Sequence, residues 1–174
     1  MIIGITGYGG SGKDTAAEPL IYLGFKRKAF ADYLKLEVEK ALNTNNIKID
    51  FNDRKQKEEY REVLVSWGKM RRNQDPAYWI KKADINPEED TVITDVRYPN
   101  ETEHILKLGG KVLWIYKEGC YAKNEEEEKS INDLTRRFKL GEEIVLIPNI
   151  QGVEELHARI MTFYNQFLSD SPHK

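Results

Sequence analysis

The sequence predicts an α/β fold, a mostly parallel sheet with helices on both faces and ligands at the carboxyl ends of the strands. Three observations predict it. Short apolar runs recur at Ile2–Ile5, Thr91–Thr94, Val112–Tyr116 and Ile144–Ile147, as strands buried on both faces do. Helical spacings lie between them, such as Leu34, Val38, Leu42 and, at the end, Val153, Leu156, Ile160, Phe163, Phe167. The first apolar run then opens into a glycine-rich turn that ends in a lysine and leads into a helix.

That first element is the most specific. Residues 1–15 read MIIGITGYGGSGKDT, and Gly7, four residues, Gly12 and Lys13 satisfy the G-x-x-x-x-G-K core of a phosphate-binding loop. Gly7, Gly9, Gly10 and Gly12 let the backbone bend so that successive N–H groups point inward at anionic oxygens. The helix that follows presents its positive end to the same oxygens, and Lys13 reaches the β- and γ-phosphates as a mobile charge. The next residue departs from the pattern: Asp14 stands where a Ser or Thr hydroxyl would bind Mg²⁺, and Thr15 follows. Asp14 therefore either points away or meets the phosphates through hydrated Mg²⁺, while Thr15 offers its hydroxyl to a phosphate nearer the nucleoside.

The remaining elements follow in order. The first helix is expected from Gly12 to Leu23, closed by Gly24. Pro19 inside it removes a hydrogen bond and predicts a kink or an early end. Phe25–Phe30 reads as a short strand, and Asp32 as the N-cap of the next helix. A polar loop spans Asn43–Asp53. A long helix from Asp53 carries an apolar stripe of Tyr60, Val63, Leu64, Trp67 and Met70 and runs into Gly68, then Arg71 and Arg72. Asp75 and Pro76 start another helix bearing Tyr78, Trp79 and Ile80. Pro99 and Asn100 open a helix that stops at Gly109-Gly110. Lys117–Leu140 is the most charged stretch, a loop and helix projecting from the sheet, with Glu125–Glu128 as a solvated first turn.

Composition bounds the function. A chain of 174 residues suits one domain with a substantial core. A net charge of −2 gives no electrostatic footprint for nucleic acid. The single Cys120 allows no internal disulfide and suits a reducing compartment. With neither an apolar run of membrane length nor a basic leader, the expectation is a cytoplasmic enzyme without a membrane partner. Whether it forms a homodimer is left open.

Strand order extends the site. Asp95 ends the TVIT strand; if that strand neighbours the first, Asp95 takes the Mg²⁺-holding position beside a phosphate loop, and Arg97 can stabilise charge on the transferring group. The plainer alternative is a loop-capping Asp and a surface Arg. An acceptor phosphate asks for planar, bidentate donors; the candidates are Arg71 and Arg72, Lys35, and Arg136 and Arg137. Trp67, Tyr78 and Trp79 flank the first pair and can stack a base, or else belong to the core.

Together GYGGSGKDT, FADYLK, WGKMRRNQDPAYW, TVITDVRYPNE, LGGKVLWIY and IPNIQGVEEL resemble the deoxynucleoside monophosphate kinases of bacteriophages over nearly the whole chain. The Gly-Lys-x-Thr loop resembles that of nucleoside monophosphate kinases more than that of GTPases or motor ATPases. The resemblance implies the P-loop kinase fold over residues 1–174, with a small mobile lid at 117–140. The implied activity is transfer of the ATP γ-phosphoryl group, with Mg²⁺, to a deoxynucleoside 5′-monophosphate. Carried over by position, it implies phosphate cradling by Gly10, Ser11, Gly12, Lys13, Asp14 and Thr15, with Gly9 in the same loop. Asp32, Lys35 and Arg72 would hold the acceptor, and Arg97 would sit near the transfer point. Arg136 or Arg137 would come from the lid, and Asn149 would lie near the adenine. Two other readings compete: a P-loop kinase for another small acceptor such as dephospho-coenzyme A, and a nucleotide-binding switch or ATPase without an acceptor.

Overall fold

The computed structural model of the protein describes residues 1–44 and 47–170. The chain divides into two compact units: Met1–Lys28 with Asn86–Lys174, and Ala29–Ile85.

The first unit is built on a five-stranded sheet, β1 (Ile2–Thr6), β2 (Lys26–Lys28), β3 (Thr91–Ile93), β4 (Lys111–Tyr116) and β5 (Ile144–Pro148), in the order β2-β3-β1-β4-β5. All four pairings are parallel. β1 is central and wholly buried, which is why its residues are apolar on both faces. The period-2 alternation of a strand sends Ile3 and Ile5 to one side. There they join Ala16, Ala17 and Leu20 of α1 (Lys13–Tyr22) and Leu156, Ile160 and Phe163 of α8 (Val153–Asp170) in one cluster. Gly4 faces the other side, where a Cβ would lie 2.7 Å from Ile105 Cδ1 of α6 (Pro99–Lys107). α6 thus sits so close that a side chain at that position would push Ile105 aside. α7 (Glu125–Arg137) packs on α6.

The second unit is helical: α2 (Phe30–Thr44), α3 (Arg54–Glu59), α4 (Arg61–Gln74) and α5 (Tyr78–Ala83). Its core is Val38, Phe51 and Leu64, with Leu34, Leu42, Tyr60 and Trp67 packed against it. α2 and α4 meet at Gly68, where a Cβ would lie 3.3 Å from Leu34 Cδ2.

Several elements differ from the sequence reading. α1 does not end at Pro19 but continues to Tyr22. Asp32 is not an N-cap; it lies in the first turn of α2, which begins at Phe30, and its N–H donates to Ala29 O at 3.1 Å. The polar loop starts later than Asn43, since α2 runs to Thr44, and its Asn45 and Asn46 lie outside the described residues. The long helix from Asp53 is two helices divided at Tyr60; Asp53 does cap the first, accepting from the N–H groups of Lys55 and Gln56. Val63 and Met70 of the expected stripe are exposed, as is Val153 of the closing helix. Val63 and Met70, seven residues apart, share one side of α4, about 100° or more around the helix from the side on which Leu64 and Gly68 are buried.

Candidate active site

β1 delivers the chain into the glycine turn at its carboxyl end. Gly7 and Gly12 take φ of 142° and 97°, backbone that L side chains rarely adopt. At Gly7 space forbids a side chain as well, since a Cβ would lie 2.5 Å from Ile115 O; at Gly12 it would displace Asn149 Nδ2, 2.6 Å away. Ser11 N–H closes the turn on Tyr8 O at 3.1 Å. Lys13 folds back over it, its ammonium donating to Gly7 O at 2.8 Å and Tyr8 O at 2.9 Å. Burial pushes the Lys13 pKa down and the nearby Arg97 charge pushes it further; Glu127, Asp14 and Asp95 oppose them without reversing the shift. Asp95 and Arg97 therefore lie within electrostatic reach of Lys13.

The strand order meets the condition set by the sequence, because β3 pairs directly with β1, Ile93 opposite Gly4. Asp95 is half-buried just beyond β3. Val96 N–H then donates to Ile5 O at 3.0 Å and ties this turn to β1. Arg97 is exposed, but its backbone is fixed. Its N–H donates to Glu101 Oε2 at 2.8 Å, and its carbonyl accepts from the Ser130 hydroxyl. Glu101 also accepts from Tyr98 N–H at 3.0 Å, a carboxylate reaching back over the start of α6. The Pro99-Asn100-Glu101 run thus sets the direction in which the Asp95–Arg97 turn leaves the sheet.

Asp14 is 83% exposed, with one oxygen 3.9 Å from Arg27 Nη2. Thr15 is half-buried in the first turn of α1. Asn149 is bonded to the loop: its Nδ2 donates to Ser11 O at 2.9 Å, and its N–H to Tyr116 O at 2.7 Å. Glu125–Glu128 are not simply a solvated turn. Glu127 Oε1 accepts from Gly9 N–H of the glycine turn at 2.9 Å, and Oε2 from Lys123 N–H at 2.8 Å. Glu126 accepts from the Tyr98 hydroxyl at 2.6 Å. Of the two arginines of α7, Arg137 forms an ion pair with Glu103 of α6, and Arg136 is exposed.

In the helical unit, Asp32 Oδ1 and Lys35 Nζ form an ion pair at 2.8 Å. Trp79 is core, 3% exposed, and its indole N–H donates to Gly68 O at 3.3 Å; no face is left for a base to stack on. Trp67 is half-buried and donates to Glu37 Oε1 at 3.0 Å. Glu37 also accepts from Arg71 Nε at 2.6 Å and the Tyr78 hydroxyl at 2.6 Å, with Lys82 Nζ 3.8 Å away. Burial raises the Glu37 pKa, but the hydrogen bonds from Tyr78, Trp67 and Arg71 outweigh it and hold the carboxyl below its ordinary value. Arg71 is committed to this cluster, stacked 5.1 Å from the Tyr78 ring centroid. Arg72, one residue on, is half-buried with its guanidinium over Gly68.

Sequence reasoning missed Glu37 and Glu127. For Glu37 a signal existed: Trp67 and Tyr78 each carry a polar handle that requires an acceptor once half-buried. For Glu127 there was none, because only the fold brings residue 127 to residue 9.

The donor set suits a nucleotide phosphate. Thr6 Oγ1 and Ser11 Oγ are buried with no hydrogen-bond partner among the described residues. They lie at the end of β1 and within the glycine turn, whose lysine is half-buried. Strand, glycine turn, half-buried lysine and Asp95 just beyond the neighbouring strand define a P-loop phosphotransferase, a kinase-class fold.

Comparison narrows the class to a family. The family model for phosphomevalonate kinase matches residues 5–108. A protein of Acanthamoeba polyphaga mimivirus, provisionally described as a deoxynucleotide monophosphate kinase, is 30% identical over 93% of this chain and 95% of its own. The chain belongs to the P-loop kinase family that this model and this viral relative represent. Among solved structures, TT1252 from Thermus thermophilus matches with TM-score 0.51 at 17% identity, over 99% of this chain and 98% of that one. A dephospho-CoA kinase from Campylobacter jejuni matches with TM-score 0.49 at 14% identity, over 95% and 96%. Among the described residues no helix is long and apolar enough to cross a membrane.

Proposed function

We propose that the protein is an ATP-dependent kinase of deoxynucleoside 5′-monophosphates, producing the diphosphates. The observation that carries the reading is the glycine turn itself, with Lys13 folded over it and Asp95 just beyond the adjacent strand. The choice of acceptor is supported by the viral relative's description over nearly the whole chain.

In this reading the loop amides and the Thr6, Ser11 and Thr15 hydroxyls bind the ATP phosphates. Asp95 would hold Mg²⁺, which when bound would supply positive charge to offset that of the phosphates. Lys13 leaves the Gly7 and Tyr8 carbonyls for phosphate oxygens, and its half-burial strengthens that attraction. Arg97 stabilises charge on the transferring group. Asp32, Lys35 and Arg72 hold the monophosphate, Arg72 gripping its phosphate bidentately. Residues 117–140 act as the lid, with Arg136 as the phosphate-facing arginine, since Arg137 is engaged by Glu103. Closure excludes water and so prevents wasteful hydrolysis. Little covalent chemistry is asked of the protein; positioning and charge do the rest.

The family match over residues 5–108 favours a second reading, phosphomevalonate as acceptor. A coupled ADP-release assay separates them, using the four deoxynucleoside monophosphates, their ribo counterparts, phosphomevalonate and dephospho-coenzyme A. Acceptor-dependent ADP release with deoxynucleotides is expected. Release with phosphomevalonate alone overturns the substrate assignment, and release that no acceptor stimulates overturns the kinase reading.

A further inference from the structure

Pro19 lies in the interior of α1 and the helix does not break there. Proline has no N–H, so the hydrogen bond that residue 19 would give to the carbonyl four residues earlier cannot form. That carbonyl belongs to Thr15, in the first turn of the helix that leaves the glycine loop. An unpaired carbonyl within a packed helix carries a desolvation penalty. In this structure it is met from another element: His157 Nε2 of α8 lies 3.0 Å from Thr15 O. A carbonyl oxygen only accepts, so Nε2 carries the proton. Glu18 Oε2 lies 3.3 Å from the same nitrogen. α1 and α8 are packed together through Ala16, Ala17, Leu20, Leu156 and Ile160, which brings the imidazole over the first turn.

We infer that His157 is a positioning residue for nucleotide binding: its imidazole N–H replaces the backbone amide that Pro19 lacks and fixes the Thr15 peptide in the turn facing the ATP phosphates. The same arrangement accounts for Pro19. A backbone amide in that place would satisfy Thr15 from within α1; with proline, the first turn is tied instead to α8. Whatever displaces His157 loosens Thr15 without touching Lys13 or the glycine turn. The nucleotide half of this inference rests on the proposed function; the pairing of His157 with Pro19 does not.

The test is a double-mutant cycle on the full chain, His157→Ala and Pro19→Ala singly and together, with His157→Gln as the conservative variant. ATP binding is titrated at equilibrium, and the KM for ATP and for the acceptor and the thermal midpoint are measured. His157→Ala should weaken ATP binding and raise the ATP KM about three- to tenfold, leaving the acceptor KM unchanged. His157→Gln should recover part of the loss through its amide N–H. In the Pro19→Ala background, residue 19 again has an amide to give, so His157→Ala should cost little in either ATP binding or midpoint. Equal losses in both backgrounds would show that His157 does not stand in for the missing amide and would overturn the inference. A rise in the acceptor KM matching that for ATP would also overturn it, reducing His157 to general packing. A wild-type chain that binds no ATP would refute the proposed function and, with it, the nucleotide half of the inference. The midpoint cycle would still decide whether His157 replaces the amide of residue 19.

Discussion

The sharpest prediction concerns Glu37, which the sequence left unmarked. Its side chain is 17% exposed and takes the donors of Trp67, Arg71 and Tyr78 at once. A hydrogen bond to a charged group contributes about 1.5–3 kcal/mol. The desolvation of Glu37 and the partial exposure of Arg71 offset part of that, so Glu37→Ala should destabilise by about 2–4 kcal/mol, with three donors left half-buried. Glu37→Gln keeps one acceptor oxygen and should cost about half as much. Acid titration supplies an independent check. The folded carboxyl lies below its ordinary value of 4.5, so the unfolded chain binds the proton more readily than the folded one. Its stabilisation is therefore full above the unfolded pKa and fades as pH falls through the folded pKa. Urea unfolding of wild type and Glu37→Ala from about pH 7 down to about pH 3 should show a gap that narrows in acid. The Tyr78 phenol gives a second readout: its pKa, raised first by the hydrogen bond to Glu37, should move back toward 10.0 in the Gln variant. A loss below about 0.5 kcal/mol, or a gap that stays constant across the titration, would refute the reasoning.

Three further outcomes follow from the site. Lys13→Ala should abolish phosphoryl transfer by orders of magnitude while circular dichroism and unfolding stay near wild type; in wild type the rate should fall in alkali at a lower pH than an unshifted lysine would give, because burial lowers its pKa. Arg72→Ala should raise the acceptor KM about tenfold or more and leave the ATP KM unchanged. Arg71→Ala should instead cost stability through the loss of its bond to Glu37; the reverse pattern in steady-state kinetics would exchange the two roles. Glu127→Gln removes the negative charge now on Gly9 N–H, where nucleotide phosphates approach, and should tighten ATP binding about fivefold, a Coulomb effect of about 1 kcal/mol. Weaker binding by calorimetry would show that the carboxylate supports the loop rather than competing with phosphate.

The sequence by itself determined the loop, the sheet class and the order of elements, for a physical reason. A phosphate loop is written in consecutive residues, and Gly7, Gly12 and Lys13 need only a strand before them and a helix after. Buried parallel strands announce themselves as unbroken apolar runs, so Ile2–Ile5 and Ile144–Ile147 were legible. The adjacency of β3 to β1 was only a condition until the tertiary structure met it and brought Asp95 within reach of Lys13. What was not legible depends on side chains meeting across long stretches of chain. Glu127 on Gly9 spans a separation of 118 residues, and His157 on Thr15 spans 142. No periodicity encodes such pairs, since they exist only once α7 has packed on α6 and α8 on α1. Trp79 makes the same point in reverse: its aromatic ring fitted a base-stacking role by composition, and only the close approach of α5 to Gly68 commits it to the core. Pro19 shows both halves together. The sequence determined that a hydrogen bond would be missing from α1, and the fold decided that an imidazole from α8 would supply the donor.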